Sequence, residues 1–343
     1  MSFDDLIGRS WDENRLVSVL VELTYRCNLD CVFCYNDLSL RGRQMRFNDY
    51  AVLLDDLAAM NVLNVTLSGG EPLAHPDFFR IGARARELGF VVRVKSNGHT
   101  LHGEVARRLR DEVDPFIVET SLHGATAATH ERQTRVAGSF ARLIANIGEM
   151  TSLGLRVKVN STLTIWNESE ARGMFELCDQ LGVPLIFDLV VTPRDDGDRA
   201  PLALAASAEG IRSLLRLQTE RYEAQSEAAS APRSITPNAA PLPQKHCGAG
   251  SSGIAIDPYG NVYPCVAWRR AAGNLHETRI AEMWRSSFDE VREQTVAVAG
   301  VVRAHPLGTL LNFCPGLAIT LTGSPVTVPP ENERVAEIVS RLS

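Results

Sequence analysis

Three cysteines stand within eight residues near the start of the chain, in the run TYRCNLDCVFCY that begins at Thr24. They are Cys27, Cys31 and Cys34, and they follow an apolar run, residues 17–23, that predicts a buried strand. Thiolates are soft ligands that suit zinc or iron–sulfur clusters. A structural zinc site usually has four protein ligands. Three thiols therefore leave one metal position open.

The spacing C-x3-C-x-aromatic-C, with Phe33 at the aromatic position, resembles the signature of radical S-adenosylmethionine (radical SAM) enzymes. The resemblance implies that these cysteines hold a [4Fe–4S] cluster whose remaining iron is chelated by SAM. It also implies reductive cleavage of SAM to a 5′-deoxyadenosyl radical, which abstracts a hydrogen atom from the substrate. From the residues alone, a zinc site or a surface loop with stray cysteines stays open.

Composition excludes several classes of protein. The chain has 343 residues, 45% hydrophobic and 22% charged, which allows a large core and two domains. A net charge of −6 without a long basic run argues against nucleic acid as a partner. The N-terminus lacks a signal-peptide core, and the longest apolar candidate, residues 296–302, is too short to span a membrane. Seven clustered cysteines then favour metal ligation in a reducing cytoplasm over disulfides.

The elements that must position these residues alternate along the chain. Strands are predicted at residues 17–23, 63–67, 90–96, 116–121, 155–163 and 185–190. Helices are predicted at 48–60, 76–88, 101–111, 140–153 and 168–181, with Asn48 and Asn167 as N-caps. This order predicts an α/β fold with a parallel sheet, a partial (β/α)6 barrel whose site lies at the C-terminal ends of the strands. The radical SAM resemblance implies the same barrel.

Composition also suggests domain limits. We expect the barrel at residues 1–200, then a helix at 206–229 and a proline-rich linker at 230–243, which together make a connecting region at 201–243. Residues 244–343 form a second cysteine-bearing unit that ends in a short amphipathic helix.

The segment Ser68-Gly-Gly-Glu-Pro72 follows the second predicted strand. Glycines there allow close approach of the backbone to a ligand, although a simple turn would use them too. The segment resembles the G-G-E-P motif of radical SAM enzymes, which binds the amino group of the SAM methionine. The resemblance implies SAM contacts from Gly69, Gly70, Glu71 and Pro72, with Glu71 either accepting from the ammonium or bracing the loop.

Polar residues also end the next strands. Ser96 and Asn97 end the third strand, where the family places the SAM ribose, although a turn would use the same residues. Ser121 ends the fourth strand, and Arg132 lies in a run that resembles S-L-D-G…H-D-x-x-R-G…G-S-F, with departures at His123 and Gln133. The resemblance implies SAM contacts for Ser121, Arg132 and Asn160, while Arg132 as a plain surface charge stays open.

The second unit carries Cys247, Cys265 and Cys314, and a predicted hairpin turn at residues 257–261 folds the first two together. C-G-A-G…Y-P-C and the later G-N-L…W run resemble the SPASM/twitch extension, which carries auxiliary iron–sulfur clusters. The full pattern has seven cysteines. Three here predict one auxiliary cluster, taken as [4Fe–4S], whose fourth ligand is His246, another side chain or the substrate. A zinc ribbon or unpaired buried thiols are the alternatives.

Cys178 stands apart in a predicted helix. We expect it to pack as a small hydrophobe, with a hydrogen-atom donor as the sharper alternative.

The whole layout favours modification of a ribosomally made peptide by crosslinking, oxidation or epimerisation. A dehydrogenase or epimerase of an aminoglycoside or sugar is the alternative. A non-catalytic zinc or electron-carrier protein would need no cofactor pocket. The resemblance implies an external electron donor of the flavodoxin or ferredoxin type. Because the first strand begins near residue 17, we expect leader binding to use a separate protein or another surface.

Overall fold

The structure, a computed structural model, describes residues 3–228 and 244–341. Its strands are β1 (Ser18–Glu22), β2 (Asn64–Ser68), β3 (Val91–Lys95), β4 (Ile117–Ser121), β5 (Val157–Thr162), β6 (Leu185–Asp188), β7 (Gly253–Ile256), β8 (Asn261–Tyr263) and β9 (Gly273–Asn274). Its α-helices are α1 (Phe3–Asp12), α2 (Phe47–Ala59), α3 (Phe78–Glu87), α4 (Gly103–Arg108), α5 (Ala127–Thr134), α6 (Ser139–Ser152), α7 (Ala171–Gln180), α8 (Ala208–Ala228), α9 (Ile280–Ser286), α10 (Asp289–Ala304), α11 (Pro315–Thr322) and α12 (Pro330–Ser340).

The first six strands form one parallel sheet in the order β6-β5-β4-β3-β2-β1. Their C-terminal ends lie at the same edge: the last residues of β1 and β2 pair as Glu22↔Ser68, and those of β5 and β6 pair as Thr162↔Asp188. The predicted α/β fold with a partial (β/α)6 barrel is therefore confirmed. Polar groups that follow these strands meet at one edge.

The second cysteine-bearing unit extends the same sheet. β7 pairs in parallel with β1, starting at Ser18↔Gly253, and β8 and β9 continue antiparallel. The predicted hairpin turn joins β7 to β8. Its pairing with the barrel edge was not predicted, because a strand carries no sequence signal for a distant partner.

The two faces of the sheet differ in chemistry. Val19 and Val21 of β1 are buried in the core formed with the helices, as are Val65 and Leu67 of β2. The alternate positions face the barrel interior and carry polar or charged groups further along the sheet. An interior of this kind is suited to a polar ligand.

Several helix details differ from the predictions. α2 begins at Phe47, so Asn48 is not its cap; instead the Asp49 carboxylate accepts from the Arg46 backbone N–H at 2.8 Å. The Asn167 side chain also makes no cap bond, because its oxygen accepts from the Thr164 backbone N–H at 2.8 Å. Five helices, α1, α5, α9, α10 and α11, were not predicted.

The predicted helix at 206–229 is observed as α8, and the predicted linker at 230–243 lies outside the described residues. The domain limits at residues 200 and 243 stay a prediction. Among the described residues, no helix combines the length and apolar character needed to cross a membrane.

Candidate active site

The first thiol loop, defined as residues 24–36, leaves the C-terminal end of β1. It is held by the end of α5 on one side and by the segment after β2 on the other. The backbone N–H groups of Asp30 and Val32 donate to the carbonyls of Thr134 and Gln133 at 3.1 and 3.0 Å, at the end of α5. The prediction that Cys27, Cys31 and Cys34 follow the first strand holds, and α5 is the element that sequence reasoning missed.

The three thiols of this loop influence one another's ionisation. Burial and the charges of Cys34 and Cys27 raise the pKa of Cys31 to about 12. Burial also raises the pKa values of Cys27 and Cys34. Such thiols ionise readily only beside a compensating cation, so the donor set fits an iron–sulfur cluster. Within the described residues, no three His, Cys, Asp or Glu side chains are gathered closely enough to hold a single metal ion.

The two glycines after β2 let the backbone dock against the first thiol loop. The Gly70 N–H donates to the Thr24 carbonyl at 2.7 Å, and a Cβ on Gly70 would meet the Tyr25 oxygen at 2.7 Å. At Gly69, where φ is +132°, a Cβ would lie 2.3 Å from the Thr24 oxygen. Any side chain here would push the thiol loop outwards.

Glu71 braces the ends of β2 and β3. Its carboxylate accepts from the Ser96 hydroxyl at 3.0 Å and from the backbone N–H groups of Asn97 and Leu73 at 2.9 and 3.1 Å. Burial raises the pKa of Glu71 to about 7. Of its two expected roles, the brace is the one that these contacts perform. Pro72, also buried, begins the short turn Pro72–Ala74.

Asn97 reaches the first thiol loop from the end of β3. Its side-chain amide donates to the Asn28 side-chain oxygen at 2.6 Å and lies 3.6 Å from the Cys27 sulfur. The Leu29 backbone N–H also donates to that sulfur, at 3.4 Å. Hydrogen bonds to cluster sulfurs are a means of tuning such a site.

The other predicted SAM contacts are spread along the same edge. Ser121 is half-buried at the end of β4. The Asn160 side chain donates to the Glu119 carboxylate at 3.2 Å inside the barrel. Arg132 is exposed and stacks on Trp166, with the guanidinium 3.8 Å from the ring centre.

The two departures from the family pattern, His123 and Gln133, contact each other. The Gln133 side chain donates to the His123 carbonyl and accepts from the Thr164 hydroxyl. The His123 ring packs edge-on against Phe33, with ring centres 4.7 Å apart, and stacks on His130, with ring centres 5.7 Å apart. Burial lowers the pKa of His123 to about 3 and that of His130 to about 4. Neutral rings therefore support the aromatic residue of the thiol loop.

The second thiol set comprises Cys247 before β7, Cys265 after β8 and Cys314 at the N-terminus of α11. Burial and the charges of Cys314 and Cys247 raise the pKa of Cys265 to about 12. α11 can approach because residue 316 is glycine, where a Cβ would lie 2.5 Å from the Ala267 oxygen.

His246, the predicted alternative fourth ligand, lies beside this second set. Its Nε2 is 2.8 Å from the Phe313 carbonyl oxygen, and the two rings are 5.7 Å apart.

Arg269 links the two thiol regions, and sequence reasoning missed it. Its guanidinium donates to both Glu22 oxygens at 2.9 and 2.8 Å and lies 2.9 Å from an Asp195 oxygen. Tyr25 donates to the same Glu22 at 3.0 Å. Glu22 ends β1 and is fully buried, so this ion pair ties the segment after Cys265 to the start of the thiol loop.

Cys178 lies away from both sets. It is 1% exposed on the buried face of α7, where burial raises its pKa to about 12. This environment favours the packing interpretation.

An incomplete parallel barrel, with a thiol triad at its C-terminal edge and a second thiol set on an added hairpin, defines a class of iron–sulfur barrel enzymes. Residues 21–178 match the radical SAM superfamily, and residues 247–301 match the SPASM family, described as an iron–sulfur cluster-binding domain.

The relatives agree with this class. The chain is 31% identical to the mycofactocin maturase MftC of Mycobacterium ulcerans, over 81% of this chain and 77% of that protein. It is 30% identical to the PqqA peptide cyclase of Ruegeria pomeroyi, over 73% of this chain and 68% of that protein. It is 26% identical to the AdoMet-dependent heme synthase of Methanosarcina barkeri, over 79% of this chain and 83% of that protein.

Solved structures share the fold. Streptococcus suis SuiB superposes with a TM-score of 0.69 at 15% identity, covering 92% of this chain and 76% of that one. Native anSMEcpe with bound AdoMet and the Cp18Cys peptide superposes with a TM-score of 0.70 at 13% identity. The match covers 95% of this chain and 96% of that one. The chain belongs to the radical SAM superfamily and carries a SPASM domain. Its cofactors are SAM, a [4Fe–4S] cluster and an auxiliary iron–sulfur cluster.

Proposed function

We propose that this radical SAM enzyme modifies a ribosomally synthesised peptide by crosslinking, oxidation or epimerisation. The observation that carries the proposal is the identity of about a third with MftC, named a maturase, and with PqqA cyclase, named for a peptide. The aligned shares, 81% and 73% of this chain, are longer than the barrel alone.

Cys27, Cys31 and Cys34 hold the SAM-binding cluster in this proposal. When bound, cluster and SAM together supply the 5′-deoxyadenosyl radical that abstracts the substrate hydrogen. The polypeptide positions them: Gly69 and Gly70 let the thiol loop close, and Glu71 fixes the strand ends that carry Ser96 and Asn97. The remaining proposed SAM contacts are Phe33, Pro72, Ser121, Arg132 and Asn160.

The auxiliary cluster is held by Cys247, Cys265 and Cys314. Backbone N–H groups support these thiolates: a hydrogen bond from Ala249 lowers the pKa of Cys247 against the larger effect of burial. The Leu317 N–H donates to the Cys314 sulfur at 3.5 Å, at the positive end of α11. The fourth ligand stays a choice between His246, another side chain and the substrate.

The test uses anaerobically reconstituted enzyme, SAM, a reductant and any short peptides encoded beside its gene. We expect 5′-deoxyadenosine and a peptide of changed mass or altered stereochemistry. Formation of 5′-deoxyadenosine only with an added small molecule would overturn the peptide substrate.

The second candidate function is chemistry on a small molecule. The heme synthase relative favours it, because its identity of 26% extends over 79% of this chain. The alternative drawn from the sequence, a dehydrogenase or epimerase of aminoglycosides or sugars, belongs to this class. Assays with porphyrin and aminoglycoside substrates beside the peptides separate the two candidates.

We also propose where an external electron donor of the flavodoxin or ferredoxin type docks. A groove of about 640 Å³ beside the thiol loop is lined by Arg26, Arg43, Arg46 and Arg80, with Asp77 as the one acidic lining residue. Acidic electron carriers match this charge.

Changing Arg43 and Arg46 together to glutamate should slow cluster reduction by reduced flavodoxin and leave reduction by dithionite unchanged. The exposed Arg107, changed to glutamate, is the control. Equal rates for both variants would contradict this docking surface.

The remaining proposals concern the cellular compartment and a partner protein. Six cysteines required as thiolates are suited to a reducing cytoplasm. Recognition of a leader peptide by a separate protein stays a prediction.

A further inference from the structure

The barrel interior contains a cavity of about 550 Å³ that reaches from the parallel strands to the second thiol set. Ser18 at the start of β1 and Cys265 both line it, together with Lys95 near the end of β3. β1 is five residues long, so its ends are roughly 15 Å apart. The cavity therefore lies between the region of Cys265 and the edge where the first thiol loop begins.

The lining of this cavity is positively charged. Its charged residues are Arg93, Lys95, Lys158 and a single carboxylate, Glu119. Burial raises the pKa of Glu119, but Lys158, Lys95 and Arg93 outweigh it and lower the value to about 2. Three cations thus face one anion inside a chain of net charge −6. A cavity of one sign concentrates ligands of the other.

The four charges are not equivalent. Glu119 pairs with Arg93 at 2.5 Å and with Lys158 at 2.9 Å. Lys95 has no hydrogen-bond or ion-pair partner in the part of the chain that the structure describes, and its side chain is exposed to the cavity. An ammonium that feels Glu119 only at long range keeps its hydrogen-bond donors available for a ligand.

Lysine is rare in this protein. Of the 35 lysines and arginines only three are lysines, Lys95, Lys158 and Lys245, and two of them line this cavity. Lysine offers a compact, rotatable point charge, whereas arginine offers a rigid fork.

We propose that Lys95, with Arg93 and Lys158 beside it, binds a carboxylate of the substrate inside the barrel. This deepens the proposed function and rests on it, because the carboxylate is that of a peptide: a glutamate or aspartate side chain, or the C-terminus. The bound group holds the peptide between the two thiol sets.

The scarcity of lysine allows a direct test. The reconstituted full-length enzyme with SAM is treated with a lysine acetylating reagent, and acetylation at each lysine is followed by mass spectrometry. The probes are Ac-Gly-Ala-Glu-Ala-Gly-NH2, the same peptide with glutamine, and the glutamine peptide with a free C-terminus. Lys245, whose ammonium donates to the Trp11 carbonyl and the Asn14 side chain, is the internal control.

We expect one carboxylate-bearing peptide to slow acetylation of Lys95 about tenfold, because a charge-assisted hydrogen bond occupies the ammonium. The neutral peptide should protect it little, and Lys245 should react at the same rate throughout. Whichever of the two acidic peptides protects identifies the source of the carboxylate. Equal protection by all three peptides, or by none, would overturn the proposal.

A variant pair adds a second measurement. Lys95→Gln shortens the side chain by one atom, keeps a polar end and removes the charge, so binding of the protecting peptide, measured by calorimetry, should weaken about tenfold. Arg107→Gln removes an equal charge from the surface and should bind as the native enzyme does. Unchanged binding in Lys95→Gln would contradict the assignment.

This measurement needs no turnover. Protection of Lys95 by these probes, together with no modification of the peptides encoded beside the gene, would overturn the proposed function and leave the carboxylate site standing.

Discussion

At the scale of single residues, Gly70 shows why a short motif is needed beside the thiols. Its backbone lies so close to residues 25 and 26 that a methyl group has no room. A side chain at this position would displace the thiol loop. The glycine-rich motif is therefore needed for the cluster site to fold.

Gly70→Ala should reduce iron in the first cluster and abolish most 5′-deoxyadenosine formation, because the Cβ would meet the Tyr25 and Arg26 oxygens at 2.7 Å. Iron and 5′-deoxyadenosine assays measure both effects. Gly148→Ala is the control, since its Cβ would meet nothing within 4 Å. Equal cluster content in the two variants would show that the close approach is dispensable.

The buried side chains of His123 and His130 should make the free energy of unfolding fall at low pH. Burial lowers the pKa of His123 to about 3, below the value of about 6.5 expected in the unfolded chain. The unfolded state therefore binds more protons in this window. Stability is complete above about pH 6.5 and falls as the pH drops towards 3, by up to about 1.4 kcal/mol per pH unit for each histidine.

His123→Phe should flatten this loss between about pH 7 and about pH 5, measured by urea unfolding. The exposed His102, changed to phenylalanine, should leave the slope as in the native protein. A His123→Phe curve parallel to the native one would contradict the assignment.

The residues of the site could be predicted from the sequence, but the distant residues that pair with one another around it could not. The cysteines and the glycine-rich segment have local spacing that can be recognised, and Glu71 was expected to brace the loop as one of two roles. Arg269 and Glu22 are separated by 247 positions. No local pattern reveals such a pair, because its energy depends on burial that only the fold creates.

At the scale of elements, the ion pair of Arg269 with Glu22 joins the hairpin segment to β1. Arg269 is 10% exposed and Glu22 fully buried, so both charges depend on each other. The six barrel strands could be predicted from apolar periodicity. The attachment of β7 to β1 could not, since edge pairing depends on which backbone groups remain free.

Arg269→Gln should lower the free energy of unfolding by about 3–5 kcal/mol, because it leaves a buried carboxylate without its partner. Chemical denaturation measures this loss. The neighbouring Arg270 pairs with Glu290 on the surface, with both side chains more than half exposed, so Arg270→Gln should cost less than about 1 kcal/mol. Similar costs for both variants would mean that the buried pair does not couple the two segments.

At the scale of the whole molecule, one sheet carries both thiol sets. The first set follows β1 and the second flanks the hairpin that pairs with β1, so a cavity bounded by the same strands lies between them. The class of enzyme could be predicted from the sequence because thiol spacing is local. The substrate could not, because the charge of the cavity is assembled from strands β3, β4 and β5.

The central claim is that the two thiol sets bind two separate iron–sulfur clusters, and counting iron and sulfide per chain tests it most directly. The reconstituted native enzyme should contain about eight irons, and alanine at Cys27, Cys31 and Cys34, or at Cys247, Cys265 and Cys314, should leave about four. Cys178→Ala is the control and should retain about eight. Full iron in either triple variant, or zinc without sulfide in the native enzyme, would contradict the account.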